Sequence, residues 1–134
     1  MPEAYILEDF MPEDFEITVR TQYLPERSSE NHFVFVYFIR IQNRGEHTAQ
    51  LLERHWLISD REGRSMEVHG AGVVGEQPIF APGGVFEYNS SVAVNTTPGI
   101  MRGTYTFALE GGETFEVSIP PFALRLPENL RELN

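Results

Sequence analysis

Three glycines at G-x-G-x-x-G spacing, Gly70, Gly72 and Gly75, run directly into Pro78, Pro82, Gly83 and Gly84. A dinucleotide site needs a strand before such glycines and a helix after them, so that pyrophosphate meets the helix N-terminus. Proline at two following positions removes backbone donors, and the residues between have no helical apolar period. The glycines therefore read as punctuation in a β protein, at a strand end or bulge where backbones approach closely. An anion nest of successive N–H groups is the functional alternative. It would lack a helix dipole and a lysine, and Glu76 adjoins it with the wrong charge. Nucleotide binding is not expected at this loop.

Alternation fills the rest of the chain. Phe15, Ile17 and Val19 alternate with Glu16, Thr18 and Arg20, the period of a half-buried strand. Six further segments read as strands: residues 32–43, 48–59, 64–69, 85–94, 104–109 and 115–119. Turn residues separate them at 43–46, 60–63, 97–99 and 110–113. The Pro120-Pro121 pair is expected to stop the last strand, since proline gives no ladder donor. Each sheet must bury one face, so the economical answer is an all-β fold. It is expected to be a seven-strand antiparallel β-sandwich of the fibronectin type III or immunoglobulin kind, with a barrel as the alternative. Trp56 and Tyr105 fall where such sandwiches place core aromatics. One domain over residues 1–134 is expected, with its core at 15–126. A flexible acidic segment (1–14) precedes it, and a loose tail or single turn (127–134) follows.

Composition narrows the function classes. With 41% apolar and 12% aromatic residues, 134 residues suffice for a packed core. The chain has no cysteine, which excludes disulfides and thiolate zinc sites. The net charge is −10, and all ten basic residues are arginine. Such a surface repels phosphate backbones and anionic lipid, so neither nucleic acid nor membrane is an expected partner. No apolar run reaches the length of a membrane span, and the first residues lack a basic-then-apolar leader pattern. A cytoplasmic location is the expectation.

Catalytic patterns are missing: there is no G-x-S-x-G, H-E-x-x-H or G-K-[ST] sequence, so the chain is not expected to be an enzyme. One metal arrangement follows from register. A three-residue loop at 61–63 pairs Asp60 with Arg64 and sets His55 opposite His69. Glu53 shares their face, which would offer two imidazoles and a carboxylate to Co²⁺, Ni²⁺ or Zn²⁺. A one-residue slip would part the histidines, and a chance surface pair is the plainer reading. No cofactor is otherwise expected. Recognition of a protein partner remains. The connection at 70–84 carries Val73, Val74, Ile79 and Phe80, two of which should plug the core. Together with Gly70, Gly72, Gly75, Glu76 and Pro78, the candidate contact surface includes Arg102 and the Pro120-Pro121-Phe122 end.

Several motifs carry a family resemblance. They are Arg54-His55-Trp56-Leu57-Ile58-Ser59-Asp60, the run from Gly70 to Pro78, Pro82-Gly83, Phe86-x-Tyr88-x-Ser90, Met101-Arg102-Gly103-x-Tyr105 and Ile119-Pro120-Pro121-Phe122. In this order the chain resembles the ApaG family over residues 15–126. The resemblance implies a fibronectin type III-like sandwich with a three-strand A-B-E sheet and a four-strand G-F-C-C′ sheet. It implies a protein–protein interaction module, because similar domains form part of a eukaryotic polymerase-delta-interacting protein and of some F-box proteins. It also offers an alternative role in divalent-cation homeostasis, since some bacterial members are linked by name to cobalt resistance and magnesium efflux. No catalytic residue is implied.

Overall fold

The computed structural model describes residues 14–131. Eight strands follow one another: β1 (Phe15–Tyr23), β2 (Phe33–Asn43), β3 (Ala49–Ser59), β4 (Ser65–Ala71), β5 (Ile79–Phe80), β6 (Val85–Val94), β7 (Gly99–Leu109) and β8 (Thr114–Leu124). A 3-10 turn (Pro25–Arg27) lies between β1 and β2, and one helical turn, α1 (Glu128–Arg131), follows β8. The acidic segment 1–14, Asp14 apart, lies outside the described residues. Among the described residues no helix is long and apolar enough to cross a membrane.

The strands form two antiparallel sheets, β1-β2-β6 and β4-β3-β7-β8, with β5 added to the edge of β3. These correspond to the expected A-B-E and G-F-C-C′ layers, and β5 is the eighth, unforeseen strand. The fold is a β-sandwich. Its inner faces meet through Phe35, Ile39 and Ile41 of β2 and Trp56, Tyr105 and Phe107 of β3 and β7, all nearly or wholly inaccessible. Aromatic rings bridge the layers: Tyr37 meets Trp56 at 5.6 Å and Phe15 meets Phe107 at 4.3 Å between centroids. Such pairs add to the area they bury, by about 0.5–1.5 kcal/mol each.

Two strands are longer than alternation predicts, and one expectation is corrected. β7 begins at Gly99 rather than Thr104. Pro120 and Pro121 do not end β8, which continues to Leu124. The reason is positional: β8 is an edge strand, and the register steps from Ile119↔Gly103 to Phe122↔Met101 across the prolines. One extra residue on β8 makes a bulge there, so neither proline has to donate to β7. A second bulge lies on β3 between Leu51 and Glu53. It inverts the strand's parity: Ala49 and Leu51 point inward before it, and Trp56 and Ile58 after it.

The connection from β4 to β6 passes between the sheets and is built along the open edge of β3. After β4, Gly72 N–H donates to Leu52 O at 2.7 Å, and Leu51 N–H donates to Pro78 O at 2.9 Å. β5 then pairs Gln50 with Ile79 and Ala49 with Phe80. Asn43, inaccessible and polar, fastens the far end: Nδ2 donates to His47 O (2.8 Å) and Phe80 O (3.1 Å), and Oδ1 accepts from Gly45 N–H (2.9 Å). Its own backbone N–H and C=O pair with Gly84 O and Gly83 N–H. Every hydrogen-bonding group of this residue is engaged.

Candidate functional site

The glycine-rich connection forms one small excursion, residues 73–76, standing off the edge of β3. Val73 and Glu76 exchange both backbone hydrogen bonds, at 2.8 and 2.9 Å. The central residues Val74 and Gly75 have φ of +44° and +83°. Positive φ at both centres is the primed turn that suits tight hairpins. Glycine adopts it freely, but for the β-branched Val74 it is a strained conformation, costing about 1–3 kcal/mol. No helix follows, so the arrangement that would hold pyrophosphate is absent from the described residues.

The other two glycines serve contacts. A Cβ on Gly72 would lie 2.2 Å from Glu76 O. One on Gly70 would lie 2.8 Å from Nη1 of Arg54, whose guanidinium rests flat on that residue. Of the four apolar residues on the connection, Val73 and Phe80 are sealed in the core, while Val74 is 53% and Ile79 69% exposed.

Beneath the turn, at the rim between the sheets, lies a cavity of about 250 Å³ lined by Tyr37, Arg54, Val73, Val74, Gly75, Tyr88 and Ser90 among others. Arg54 has the inward parity of Trp56 and Ile58. Its Nη1 donates to Ala71 O (3.1 Å) and Gly72 O (3.0 Å). Three tyrosines surround the cation. Burial pushes the Tyr37 phenol up, opposed by a hydrogen bond with Ser90 and by the charge of Arg54. Burial also raises Tyr88 and Tyr105, whose hydroxyls bond each other at 2.5 Å. All three are held neutral well past physiological pH.

A larger cavity, about 510 Å³, lies on the outer face of the three-stranded sheet. Its cations already have partners: Arg40 meets Glu87 at 3.5 Å, and Arg20 covers the Phe38 ring at 4.1 Å.

The structure brings together some of the expected residues and separates others. His55 does face His69, as the loop register requires, with ring centroids 4.9 Å apart. The carboxylate bonded to His55 is Glu67, at 2.5 Å from Nε2; among the described residues no bond links Glu53 to either ring. Among the described residues no three His, Asp or Glu side chains gather to hold a metal. Gly70 sits on edge strand β4, whereas Pro120 and Pro121 sit on the opposite edge strand β8, with β3 and β7 between. The two halves of the expected contact surface are therefore a sheet's width apart. Arg102 is exposed on β7 beside the proline bulge. Phe122 turns inward, its ring 5.8 Å from Trp56 and 6.1 Å from Tyr37. Arg54, Tyr88 and Ser90 fall within the motifs of the family resemblance, but the sequence assigns them no site role, and Tyr37 reads only as a strand residue. The available signal was parity, since Arg54 is a charge two residues from buried Trp56 on the same face.

The family model described as the ApaG domain matches residues 24–109. Protein ApaG of Rhodopseudomonas palustris is 52% identical over 121 residues, covering 89% of this chain and 93% of its own. Protein ApaG of Paramagnetospirillum magneticum is 49% identical over 123 residues, covering 90% and 95%. The crystal structure of a Bordetella pertussis protein described as ApaA is similar with a TM-score of 0.83 at 47% identity, covering 86% and 95%.

Proposed function

From the premise that this chain belongs to the ApaG domain family, we propose that it is a non-enzymatic module that binds a protein partner through the edge built by the 72–80 connection. The observation that carries the reading is the exposure of Val74 and Ile79 on a connection pinned to β3 by main-chain hydrogen bonds on either side of the 73–76 turn. An aliphatic side chain held in water on a strained turn gains nothing for folding, and strain of this kind collects at contact sites. A pinned loop also loses little entropy on docking. The contact surface is accordingly Val74, Glu76, Pro78 and Ile79, with Gly70, Gly72 and Gly75 as its support. Arg102, Pro120 and Pro121 lie apart from it, and Phe122 belongs to the core.

Affinity capture from native lysate tests this with three proteins: wild type, a Val74→Asn/Ile79→Ser variant, and an Arg102→Ala/Pro121→Ser variant on the far edge. Recovery of the partner should fall several-fold with the first variant and persist with the second. Equal recovery by wild type and the Val74→Asn/Ile79→Ser variant would remove the surface from consideration.

A further inference from the structure

We infer that the cavity around Arg54 is a binding site for a carboxylate group. The inference shares Val74 and Gly75 with the partner surface but does not rest on it, since it uses their backbone N–H groups and holds whether or not the Val74 and Ile79 side chains contact a protein. Three observations converge on it.

Arg54 is a cation without a counter-charge. The chain has twenty acids against ten arginines, yet among the described residues no carboxylate pairs with Arg54. Its Nη1 is spent on Ala71 O and Gly72 O, while Nε and Nη2 have no acceptor among the described residues. The guanidinium is also fixed in direction. Gly70 lies against its plane, and the two carbonyls hold one corner, so its fork is presented ready-made.

Further donors line the same space. Tyr37 and Ser90 bring hydroxyls from the opposite sheet. Val74 and Gly75 also line it, and among the described residues neither backbone N–H has an acceptor. Val74 keeps an unfavourable φ to stand there.

The charge selects the ligand. A single guanidinium in a protein of net charge −10, with Glu76 beside the turn, suits a monoanion and disfavours a phosphate dianion or a polyphosphate. A planar carboxylate accepts two parallel hydrogen bonds from an arginine fork. About 250 Å³ admits the carboxylate and a few further atoms, whether from a small free acid or from the end of a peptide.

Amide NMR of the ¹⁵N-labelled protein tests the site. The probes are acetate, inorganic phosphate, chloride at equal ionic strength, and an N-acetylated tetrapeptide with either a free or an amidated C-terminus. Acetate should shift the Val74 and Gly75 amides and the Arg54 Nε–H resonance saturably, while chloride should not. Phosphate should bind at least about tenfold more weakly, and Arg54→Met should weaken acetate by at least about tenfold. Free-terminus peptide binding tighter than acetate, with the amide silent, assigns the carboxylate to a chain end. Peptide binding no tighter than acetate assigns it to a small acid. Should Arg54→Met fail to fold, the wild-type Arg54 Nε–H response and a milder Ser90→Ala variant, expected to bind a few-fold more weakly, decide. Linear shifts, equal response to chloride, phosphate binding as tight as acetate, or undiminished acetate binding in a folded Arg54→Met variant would overturn the site.

Discussion

Asn43 shows how much one side chain can hold. Its amide answers the carbonyls of His47 and Phe80, and its oxygen answers the N–H of Gly45, in a place closed to water. Alanine there would strip a buried acceptor of its donor, a loss of about 2–4 kcal/mol once two or more bonds are counted. A urea titration of Asn43→Ala should show that drop as a lower midpoint with an unchanged slope. In the sequence Asn43 reads only as the end of a strand and the start of a turn, because its 0% exposure is set by residues as distant in the chain as Phe80 and Gly84. Arg54 was concealed in part: parity marks it as a charge on the inward face, but the glycine it packs against lies sixteen residues away on another strand. The histidine pair, by contrast, was legible. It depends on a single short loop, and loop length fixes register.

Among the elements, the strands where one parity is mostly apolar were readable almost to the residue, as β1 and β6 show, with Thr21 and Ser90 the polar exceptions. Alternation fails where a bulge intervenes. The insertion near Leu52 swaps the faces of β3, and the proline bulge lets β8 run five residues past its expected end. The first leaves no trace in its own segment; the second is marked by the proline doublet, which is compatible with either a stop or a bulge until the neighbouring strand decides. The excursion at 73–76 is similar: its glycines and prolines say that the chain bends but not which strand edge it follows. The turn does allow a prediction at this scale. Asparagine tolerates left-handed backbone far better than a β-branched residue, so Val74→Asn should stabilise the domain by about 1 kcal/mol. Thermal melting should show a rise of a few degrees. A lower melting point would mean that Val74 contributes packing that outweighs its backbone strain.

For the whole molecule, the inter-sheet space sets the response to alkali. Tyr37, Tyr88 and Tyr105 are all raised above the ordinary phenol value of 10.0, with burial the leading cause in each. The unfolded chain loses these three protons near pH 10 while the native state keeps them. Stability is therefore complete below that pH and falls above it, at a slope of up to about 4 kcal/mol per pH unit. Denaturation between pH 9 and pH 11.5 should show the fall. In Tyr88→Phe/Tyr105→Phe the slope should shrink to roughly a third, because two of the three titrating groups are gone. An equal slope would place the alkaline sensitivity elsewhere. The outer boundary of the sandwich has a consequence of its own. β8 is a bare margin of eleven residues, the sort of template on which identical chains stack into fibrils. Pro120 and Pro121 interrupt that template midway, leaving no uninterrupted row of donors for a neighbour to zip against. The doublet thus blunts an open strand edge, at a position where proline's missing donor by itself would suggest only a stop.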